Sequence, residues 1–325
     1  MIYILIGLVV LLIIATLVQI TRVSELLSRI KNQDVNKITD NDNKTQGFLF
    51  LVVGGGFILF VIWQMLVWDH LLLPPASSLH GAEIDSLMKV SMGLILAVFF
   101  LLTPMLFYFA YKYKGNKKNT AYFFAHNNKL EVVWTVIPTI ILTVLIVYGL
   151  RTWDRSMNPD ISESTVIEVY AQQFNWKARF SGDDNKLGKS SYTLVNNENV
   201  LGVDMNDENA LDDKLVREVH LVVDKPVLLK FRSQDVIHSA FLPHFRVQMN
   251  CVPGLSTQFA FTPTQTTTEM KQQEGEDFEY VLLCNKICGS AHYNMQMSVI
   301  VETQAEYDAW FTSQQTLSEK LLTLK

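Results

Sequence analysis

The sequence predicts a membrane-anchored all-β protein, in which N-terminal transmembrane helices are followed by a Greek-key β-sandwich. Three observations lead to this fold class. Four long apolar runs occupy residues 1–150, whereas short runs of β-branched and aromatic residues begin at Thr165. Residues 1–150 hold 11 Lys and Arg against 8 Asp and Glu, whereas residues 151–325 hold 16 against 24. The chain therefore has an apolar half and an acidic half, which differ in kind.

Each apolar run is long enough to cross the hydrocarbon core of a bilayer, which is about 30 Å thick and takes roughly 20 helical residues. The runs are residues 2–20, 48–67, 90–111 and 132–150. The alternative, buried helices of a water-soluble protein, accounts poorly for four such runs. The first run lacks the basic flank and the small-residue cleavage site of a signal peptide, so we predict four transmembrane helices.

Basic residues mark the loops that we expect on the cytoplasmic side of the membrane. The first and third loops between runs carry these basic residues: Arg22, Arg29, Lys31, Lys37 and Lys44, and Lys112, Lys114, Lys117, Lys118 and Lys129. Residues 68–88 contain no Lys or Arg and carry Asp69, Glu83 and Asp85. The pattern predicts a multi-pass membrane protein with its N-terminus and its β-domain on the outer side of the membrane.

The ionisable residues near the predicted spans are few. None of the seven histidines lies in a span, so we do not expect this chain to hold a haem between membrane helices. Glu131 stands at the cytoplasmic start of the fourth run. It is either a solvated helix flank or the mouth of a proton pathway that continues in a partner.

Seven runs in the second half have the length and composition of strands. They are residues 165–172, 175–180, 215–223, 227–232, 257–262, 278–283 and 296–302, enough for a Greek-key sandwich. Residues 181–214 are rich in acidic side chains, which predicts a long loop. From residue 304 the sequence QAEYDAWFTSQQTLSEKLLTLK predicts an amphipathic helix that packs on the sandwich or on a partner.

Two cysteines, a histidine and a methionine are crowded into the segment CNKICGSAHYNM. Cys284 and Cys288 are four residues apart, His292 follows four residues later, and Met295 three residues after that. Thiolate, thioether and imidazole groups are soft ligands that select copper, whereas zinc has little use for methionine. Since two thiolates can each bridge two metal ions, the set predicts two coppers and requires one more histidine.

The missing histidine has two candidates in the segment SQDVIHSAFLPHFRVQMN. A histidine beside a strand is usually a satisfied polar residue, but the short ligand count favours one here. His238 lies between two apolar segments of strand character. His244 stands between Pro243 and Phe245, which indicates a different loop, so we rank His238 first.

Besides a copper site, the cysteine-rich segment has three alternative roles. Cys284 and Cys288 can form a structural disulfide, which is favoured outside the cytoplasm. They can instead hold zinc, or they and their neighbours can be separate core residues with no shared role. Cys251, the third cysteine, is expected to be a small buried hydrophobe.

These segments resemble subunit II of haem-copper terminal oxidases of the cytochrome c oxidase type. The resemblance covers roughly residues 86–303, through LEVVWTVIPTIIL, QQFNW, DVIHSAFLPHFRV and the CNKICGSAHYNM loop. It implies a transmembrane helical hairpin at residues 86–153 and a cupredoxin-like domain with a binuclear copper A centre at 154–303. The predicted amphipathic helix at 304–325 follows these. Residues 1–85, with two transmembrane helices and a cytoplasmic loop, are then an addition to the usual pattern.

The resemblance also implies a ligand set and a function. The copper ligands would be the side chains of His238, Cys284, Cys288, His292 and Met295 and the backbone carbonyl of Lys286. The chain would accept electrons from a c-type cytochrome and pass them to haem in subunit I of a proton-translocating oxidase. Phe174 and Trp176 would lie where electrons are accepted, and Glu131 at the mouth of a proton pathway.

The chain departs from the family pattern at several positions. Phe174 stands where much of the family has a tryptophan that receives electrons, although Trp176 remains. Lys286 replaces a glutamate that reaches a magnesium or manganese ion shared with subunit I, and Asn250 replaces an aspartate. A lysine ammonium has no acceptor and repels a divalent cation, so that second metal site is doubtful. Leu255 replaces the arginine of a Pro-Gly-Arg turn.

Two other functions are weighed against electron transfer. A non-redox structural subunit would not need the five side-chain ligands, and a nitrous oxide reductase would not need the membrane helices. The acidic residues of 181–214 suit a basic cytochrome surface, or they are simply a solvated loop. The added helices must cover their outer faces with lipid or protein, which predicts docking to a larger respiratory supercomplex. We expect no nucleic-acid partner.

Overall fold

The computed structural model describes residues 2–30, 37–158 and 164–323 of the chain. By its internal contacts the chain divides into two compact units. One unit comprises Met1–Val67 and Ile95–Asn127, and the other comprises Trp68–Leu94 and Asn128–Lys325. Every strand described below belongs to the second unit.

Four long helices confirm the predicted transmembrane spans. They are α1 (Ile2–Ile30), α2 (Asp40–Val67), α3 (Leu79–Lys112) and α4 (Asn128–Met157), each long and apolar enough to cross a membrane. All four extend beyond the apolar runs. A helix satisfies its own backbone hydrogen bonds, so it continues through polar residues beyond the apolar stretch. Pro104 and Pro138 lie inside α3 and α4.

The packing of α2 on α3 within the first unit depends on a small residue. Gly54 of α2 faces Phe107 of α3, and a β-carbon at residue 54 would lie 2.2 Å from that ring. The ring of Phe50 also lies beside Phe107, with 6.3 Å between the two centroids. The glycine therefore lets an aromatic side chain reach the α2 backbone, as small residues do between membrane helices.

Among the described residues, ten strands form two five-stranded sheets, which confirms the predicted sandwich. The first sheet has the order β3 (Lys214–Val216), β2 (Asn175–Phe180), β1 (Thr165–Gln172), β5 (Val227–Ser233) and β8 (Thr257–Phe261). The second has the order β4 (Val219–Val222), β10 (Gln296–Glu302), β9 (Tyr280–Cys284), β6 (His238–Leu242) and β7 (Val247–Cys251). β1 pairs with β5 and β4 with β10 in parallel; the other pairs are antiparallel.

The strands differ from the predicted set in three respects. Residues 215–223 form two strands in different sheets, because the chain crosses between the sheets at Arg217 and Glu218. The strand before the cysteine-rich segment begins at Tyr280 rather than at residue 278. β6 and β7 are missing from the predicted set, since a turn that contains a proline joins them.

Three short helices complete the second unit: α5 (Thr267–Glu274), α6 (Gln304–Ser313) and α7 (Leu317–Thr323). The first was not predicted, and the other two divide the segment expected to be one helix. Thr303 and Glu306 form a capping box that starts α6. Thr316 and Glu319 exchange the same pair of hydrogen bonds, so α7 begins anew after the break at Gln314.

The core of the sandwich consists of inward side chains from both sheets. Ile167 and Phe231 of the first sheet and Leu282 of the second are fully buried. Helix α6 closes one end of this core, where Trp310 stacks on His220 with 3.7 Å between ring centroids. The C-terminal segment therefore packs on the sandwich, which was one of its two predicted positions; the other was the surface of a partner.

Four charged side chains, three of them buried and Arg232 partly buried, hold the acidic loop on the first sheet, and we call them the charged cluster. The cluster consists of Glu168, Arg179, Asp213 and Arg232. Arg179 donates to Glu168 and to Asp213 at 2.9 Å each, and Arg232 also donates to Glu168. Burial opposes ionisation of Glu168, but the two guanidinium groups outweigh it and keep its pKa below the ordinary value. Burial raises the pKa of Asp213 to about 7, despite Arg179.

Candidate metal centre

The cysteine-rich segment is a loop between two neighbouring strands of the second sheet. Cys284 is the last residue of β9, and a short 3-10 turn, His292–Asn294, leads to β10. β6 lies beside β9, with Ala240 opposite Cys284. Because side chains alternate along a strand, His238 shares a face with Ala240 and therefore with Cys284. This register brings a histidine distant in sequence to the loop.

The structure brings all six predicted ligand groups together, and we call them the donor set: the side chains of His238, Cys284, Cys288, His292 and Met295 and the carbonyl of Lys286. The two Sγ atoms lie 3.9 Å apart. Cys284 Sγ lies 3.8 Å from His238 Nδ1 and 3.3 Å from the Lys286 carbonyl. Cys288 Sγ lies 3.6 Å from His292 Nδ1 and 3.9 Å from Met295 Sδ. Each thiol thus has its own histidine and one weaker donor.

The two loop cysteines are free thiols rather than a disulfide. Their sulfur separation is nearly twice the bond length of about 2.05 Å in a disulfide. Burial and the neighbouring Cys284 raise the pKa of the Cys288 thiol to about 11. Metal binding would therefore release a proton from it. Burial raises the pKa of Cys251 to about 12, which agrees with an inert, buried thiol.

The chemistry of the donor set fits copper. Ligand atoms of His238, Cys284 and Cys288 all lie within 4.8 Å of one another, the spacing of groups that share a metal ion. Two thiols between two histidines, with a thioether and a carbonyl at the periphery, are the soft set that favours copper over magnesium or calcium. The buried Met295 side chain, which is 2% exposed, keeps the thioether at the site.

Asp235, which the residue pattern did not single out, orients the histidine. Its carboxylate accepts a hydrogen bond from His238 Nε2 at 2.9 Å, so the Nδ1 lone pair is left to face Cys284. It also accepts from the backbone N–H groups of Gln173 and Val236. Burial opposes its ionisation, but these hydrogen bonds prevail and hold the pKa of Asp235 below its ordinary value. The spacing of three residues to His238 was the available signal.

Both aromatic residues predicted to accept electrons contact the loop or its ligands. Trp176 is buried, donates to the Met295 carbonyl at 3.4 Å, and meets the His238 ring edge-on at 6.1 Å. Phe174 is half-buried against the loop backbone: a β-carbon at Gly289 would lie 2.7 Å from its ring. Gly289, with φ of +149°, therefore permits this close approach.

The remaining residues of interest lie at other places. The Lys286 side chain is exposed, whereas its carbonyl faces Cys284. His244 lies beyond the other end of β6, its ring 5.1 Å from that of Phe278, so it is not part of the donor set. Leu255 is exposed in a turn. Glu131 is exposed in the first turn of α4, roughly 40 Å along the helix from the end that precedes β1.

Comparison with known protein families gives two matches. Residues 66–152 match the model of the cytochrome c oxidase subunit II transmembrane domain. Residues 165–303 match the model of the cytochrome c oxidase subunit II periplasmic domain. The matched residues include α3, most of α4, all ten strands and the whole donor set, whereas α1 and nearly all of α2 precede them.

Curated relatives share this assignment over most of their length. The alternative cytochrome c oxidase subunit 2 of Bradyrhizobium diazoefficiens is 28% identical over 272 residues, which is 83% of this chain and 92% of that protein. Cytochrome c oxidase subunit 2 of Synechocystis is 25% identical over 280 residues, covering 78% of this chain and 79% of the relative. The subunit 2 of Cereibacter sphaeroides is 24% identical over 250 residues, covering 73% and 77%.

Solved structures also align with this chain. The periplasmic domain of subunit II of cytochrome oxidase from Bradyrhizobium japonicum aligns with a TM-score of 0.33 and 21% identity, over 48% of this chain and 96% of that one. A chain of a heme-copper terminal oxidase dimer aligns with a TM-score of 0.33 and 15% identity, over 54% and 99%. On the strength of the two family matches, the chain belongs to the copper-binding cytochrome c oxidase subunit II family.

Proposed function

We propose that the chain accepts electrons from a c-type cytochrome at a binuclear copper A centre and passes them to haem in subunit I, for oxygen reduction coupled to proton pumping. The observation that carries the proposal is the donor set, in which two thiols 3.9 Å apart each face a different histidine. Two shared sulfurs with terminal donors on both sides suit a pair of coppers. A single metal ion would leave one histidine without a role.

The protein's contribution is to hold the donors still. Copper bound here would supply a one-electron carrier that needs no bound substrate. Asp235 orients His238, and the buried Trp176 indole donates to the backbone of Met295. Gln173 donates to the carbonyl of Cys288. A loop restrained by side-chain hydrogen bonds from a neighbouring sheet changes little when the charge of the centre changes, which favours rapid transfer.

The donor side of the centre is proposed from exposure and charge. Phe174 packs against Gly289 of the loop, and Trp176 donates to the Met295 carbonyl. Tyr293, next to His292, is 88% exposed. The residues of 181–214 include eight Asp and Glu against three Lys. An acidic surface would attract a basic cytochrome and accelerate encounter at low ionic strength. We place this domain on the periplasmic side of the bacterial inner membrane.

The acceptor side involves subunit I and two residues of this chain. The exposed ammonium of Lys286 would pair with a carboxylate of subunit I, or take the place of a divalent cation there, so we expect no magnesium or manganese bound from this loop. Glu131 is proposed as a proton acceptor on the cytoplasmic side. Its exposure is compatible with both this role and a solvated helix flank.

The helices α1 and α2 are proposed to bind a partner. They precede nearly all of the residues that match the family, and their apolar side chains are exposed in the single chain. Gly55 and Gly56 of α2 have no other group within 4 Å of their β-carbon positions. Neighbouring helices of the oxidase or of a larger respiratory assembly would cover these faces.

The test is a visible spectrum and metal analysis of the oxidase complex purified in mild detergent. We expect about two coppers in excess of those of subunit I and a purple thiolate-to-copper absorption that disappears on reduction. A complex with no such absorption, and with copper only in subunit I, would make this chain a structural subunit instead.

A further inference from the structure

The short segment that precedes α3, residues 74–79, is bound to the sandwich by backbone hydrogen bonds; we call it the clamp segment. The Ser77 amide donates to the carbonyl of His244 at 2.7 Å, and its carbonyl accepts from Thr264 at 2.9 Å. Ser77 is fully buried. The clamp segment thus behaves like an added strand at one end of the sandwich, although it belongs to the chain that enters the helix.

Two further hydrogen bonds continue this pairing into the first turn of α3. The Ser78 hydroxyl donates to the Phe245 carbonyl at 2.8 Å, and the Leu79 amide donates to the Thr262 carbonyl at 3.1 Å. Free amides at a helix N-terminus have no partner within the helix. Here the sandwich supplies a partner, so the start of α3 is tied directly to the β-domain.

Arg246 completes the attachment from the turn between β6 and β7. Its Nε and a terminal nitrogen donate to the two carboxylate oxygens of Asp85 in α3, at 2.8 and 3.0 Å. The guanidinium also donates to the carbonyls of Pro74 and Pro243. Its side chain is 6% exposed, so this bidentate ion pair is largely shielded from water. One side chain therefore joins the helix, the clamp segment and the sandwich.

The backbone of Arg246 gives a second reason to assign it a role. Its φ is +55°, in the left-handed region that glycine adopts most readily. A residue with a β-carbon is disfavoured at such a position unless its side chain makes compensating contacts. The four hydrogen bonds to Asp85, Pro74 and Pro243 are those contacts.

The turn that holds Arg246 and the donor set lie at opposite ends of one strand. β6 begins with His238 and ends with Leu242, so the two ends are roughly 14 Å apart. A paired, buried strand transmits a displacement at one end to the other. A sandwich that pivots at the turn would therefore move the copper ligands.

We propose that Arg246 and Asp85 are positioning residues, whose ion pair fixes the sandwich on the start of α3 and so sets the distance from the donor set to the electron acceptor in subunit I. The inference rests on the proposed electron-transfer function. Neither residue touches a member of the donor set, so the copper itself should be unaffected by their substitution.

The first measurement is single-electron injection into the copper centre of the intact oxidase, followed by timing of its transfer to haem. For Arg246→Met we expect normal copper content and absorption but transfer slowed roughly tenfold, because the centre is misplaced. The matched control is Glu83→Gln, which breaks the pair of the same helix with Arg155, a residue of α4 outside the sandwich. The control should transfer electrons at the wild-type rate.

The second measurement is amide hydrogen exchange of residues 74–82 in the same complexes. Arg246→Met should accelerate exchange at Ser77 and Leu79 at least tenfold over the Glu83→Gln control. Faster exchange with an unchanged transfer rate would reduce the pair to a structural contact and overturn the proposal. Unchanged exchange together with an unchanged rate would overturn it as well.

A third variant keeps the proposal testable if Arg246→Met does not fold or assemble. If Arg246→Met fails to assemble, Arg246→Lys keeps the charge but cannot make the bidentate contact, and it should show a smaller slowing with normal copper. A wild-type transfer rate in this variant would also refute the proposal. Failure of the proposed function itself would be seen separately, as a wild-type complex without the copper absorption.

Discussion

Two groups of buried and partly buried polar side chains lie in the same β-sandwich, and they differ in how their charges and lone pairs are arranged. In the charged cluster, the guanidinium of Arg179 bridges Glu168 and Asp213, so charge is balanced within the protein. In the donor set, two thiols, two imidazoles, a thioether and a carbonyl converge on one another. All of them are acceptors once the thiols lose their protons.

The difference separates a structural group from a functional one. Buried charges that complement each other hold an irregular loop to a sheet and leave little affinity for a ligand. Lone pairs of buried polar groups that point at one another repel, so such an arrangement costs free energy unless a positive ion lies between the groups. The convergence of like groups, more than burial or polarity alone, therefore identifies the metal centre.

The largest expected effect is on the donor set. Cys288→Ser removes one of the two sulfurs that we propose to bridge the coppers, so we expect both coppers and the thiolate-to-copper absorption to be lost. Metal analysis of the purified complex measures this. Cys251→Ala, which removes a buried thiol that is not in the donor set, is the control and should keep both coppers. Two coppers retained in Cys288→Ser would refute the bridging role.

Substitution in the charged cluster should lower the stability of the protein but leave the copper absorption spectrum unchanged. Arg179→Met leaves Glu168 and Asp213 without their shared partner, which should cost about 3–5 kcal/mol. The thermal midpoint of the loss of copper absorption should fall by roughly 10 °C, with a normal spectrum below it. Lys189→Met, an exposed change on the same loop, should alter stability by about 0.5 kcal/mol or less. If folded Arg179→Met lost its copper, the charged cluster would not be a purely structural group, and the contrast with the donor set would be refuted.

A smaller effect is expected from the carboxylate that orients His238. Asp235→Asn keeps a hydrogen-bond acceptor for Nε2 but removes the negative charge, so His238 becomes a weaker ligand. We expect the affinity for copper to fall about tenfold, with the absorption spectrum preserved. Competition with a copper chelator measures the affinity. An affinity equal to that of the wild type would mean that Asp235 only stabilises its own turn.

A pH dependence is also expected within the charged cluster. The folded-state pKa of Asp213 is raised from 3.8 to about 7, so the folded protein binds a proton that the unfolded chain releases between these values. Its contribution to stability is present at low pH and is lost as pH rises through this window. The thermal midpoint should therefore fall more from pH 5 to pH 8 in the wild type than in Asp213→Asn. Equal slopes would contradict the raised pKa.

Much of the fold was predictable because its signals are local. The apolar runs of α1 to α4 are continuous, and strands such as β1 and β10 contain β-branched residues in uninterrupted runs. β6 and β7 escaped prediction because a turn with Pro243 interrupts the sequence between them, and because they are defined by pairing with partners. The break between α6 and α7 depends on the capping pair Thr316 and Glu319, which the apolar spacing does not reveal.

The candidate metal centre likewise has one part that local sequence signals predict and another part that depends on strand pairing. The cysteine-rich loop is a local pattern with ligands spaced along one segment, so its preference for copper follows from residue types alone. Counting ligands required one more histidine, and the neighbours Pro243 and Phe245 placed His244 second to His238. The register of β6 against β9 supplies the physical basis of that choice. Asp235 escaped notice because a carboxylate's role depends on where its neighbours point.

By itself the sequence determined the transmembrane spans, the soft character of the donor set and the unequal charge of the two halves, because each follows from residue composition over short distances. Only the tertiary structure decided which carboxylates are paired, which histidine faces the thiols, and that Arg246 joins the sandwich to Asp85 across 161 residues of sequence. Such contacts follow from strand register and chain crossing. These arise from the packing of the whole domain and leave no periodic trace in the sequence.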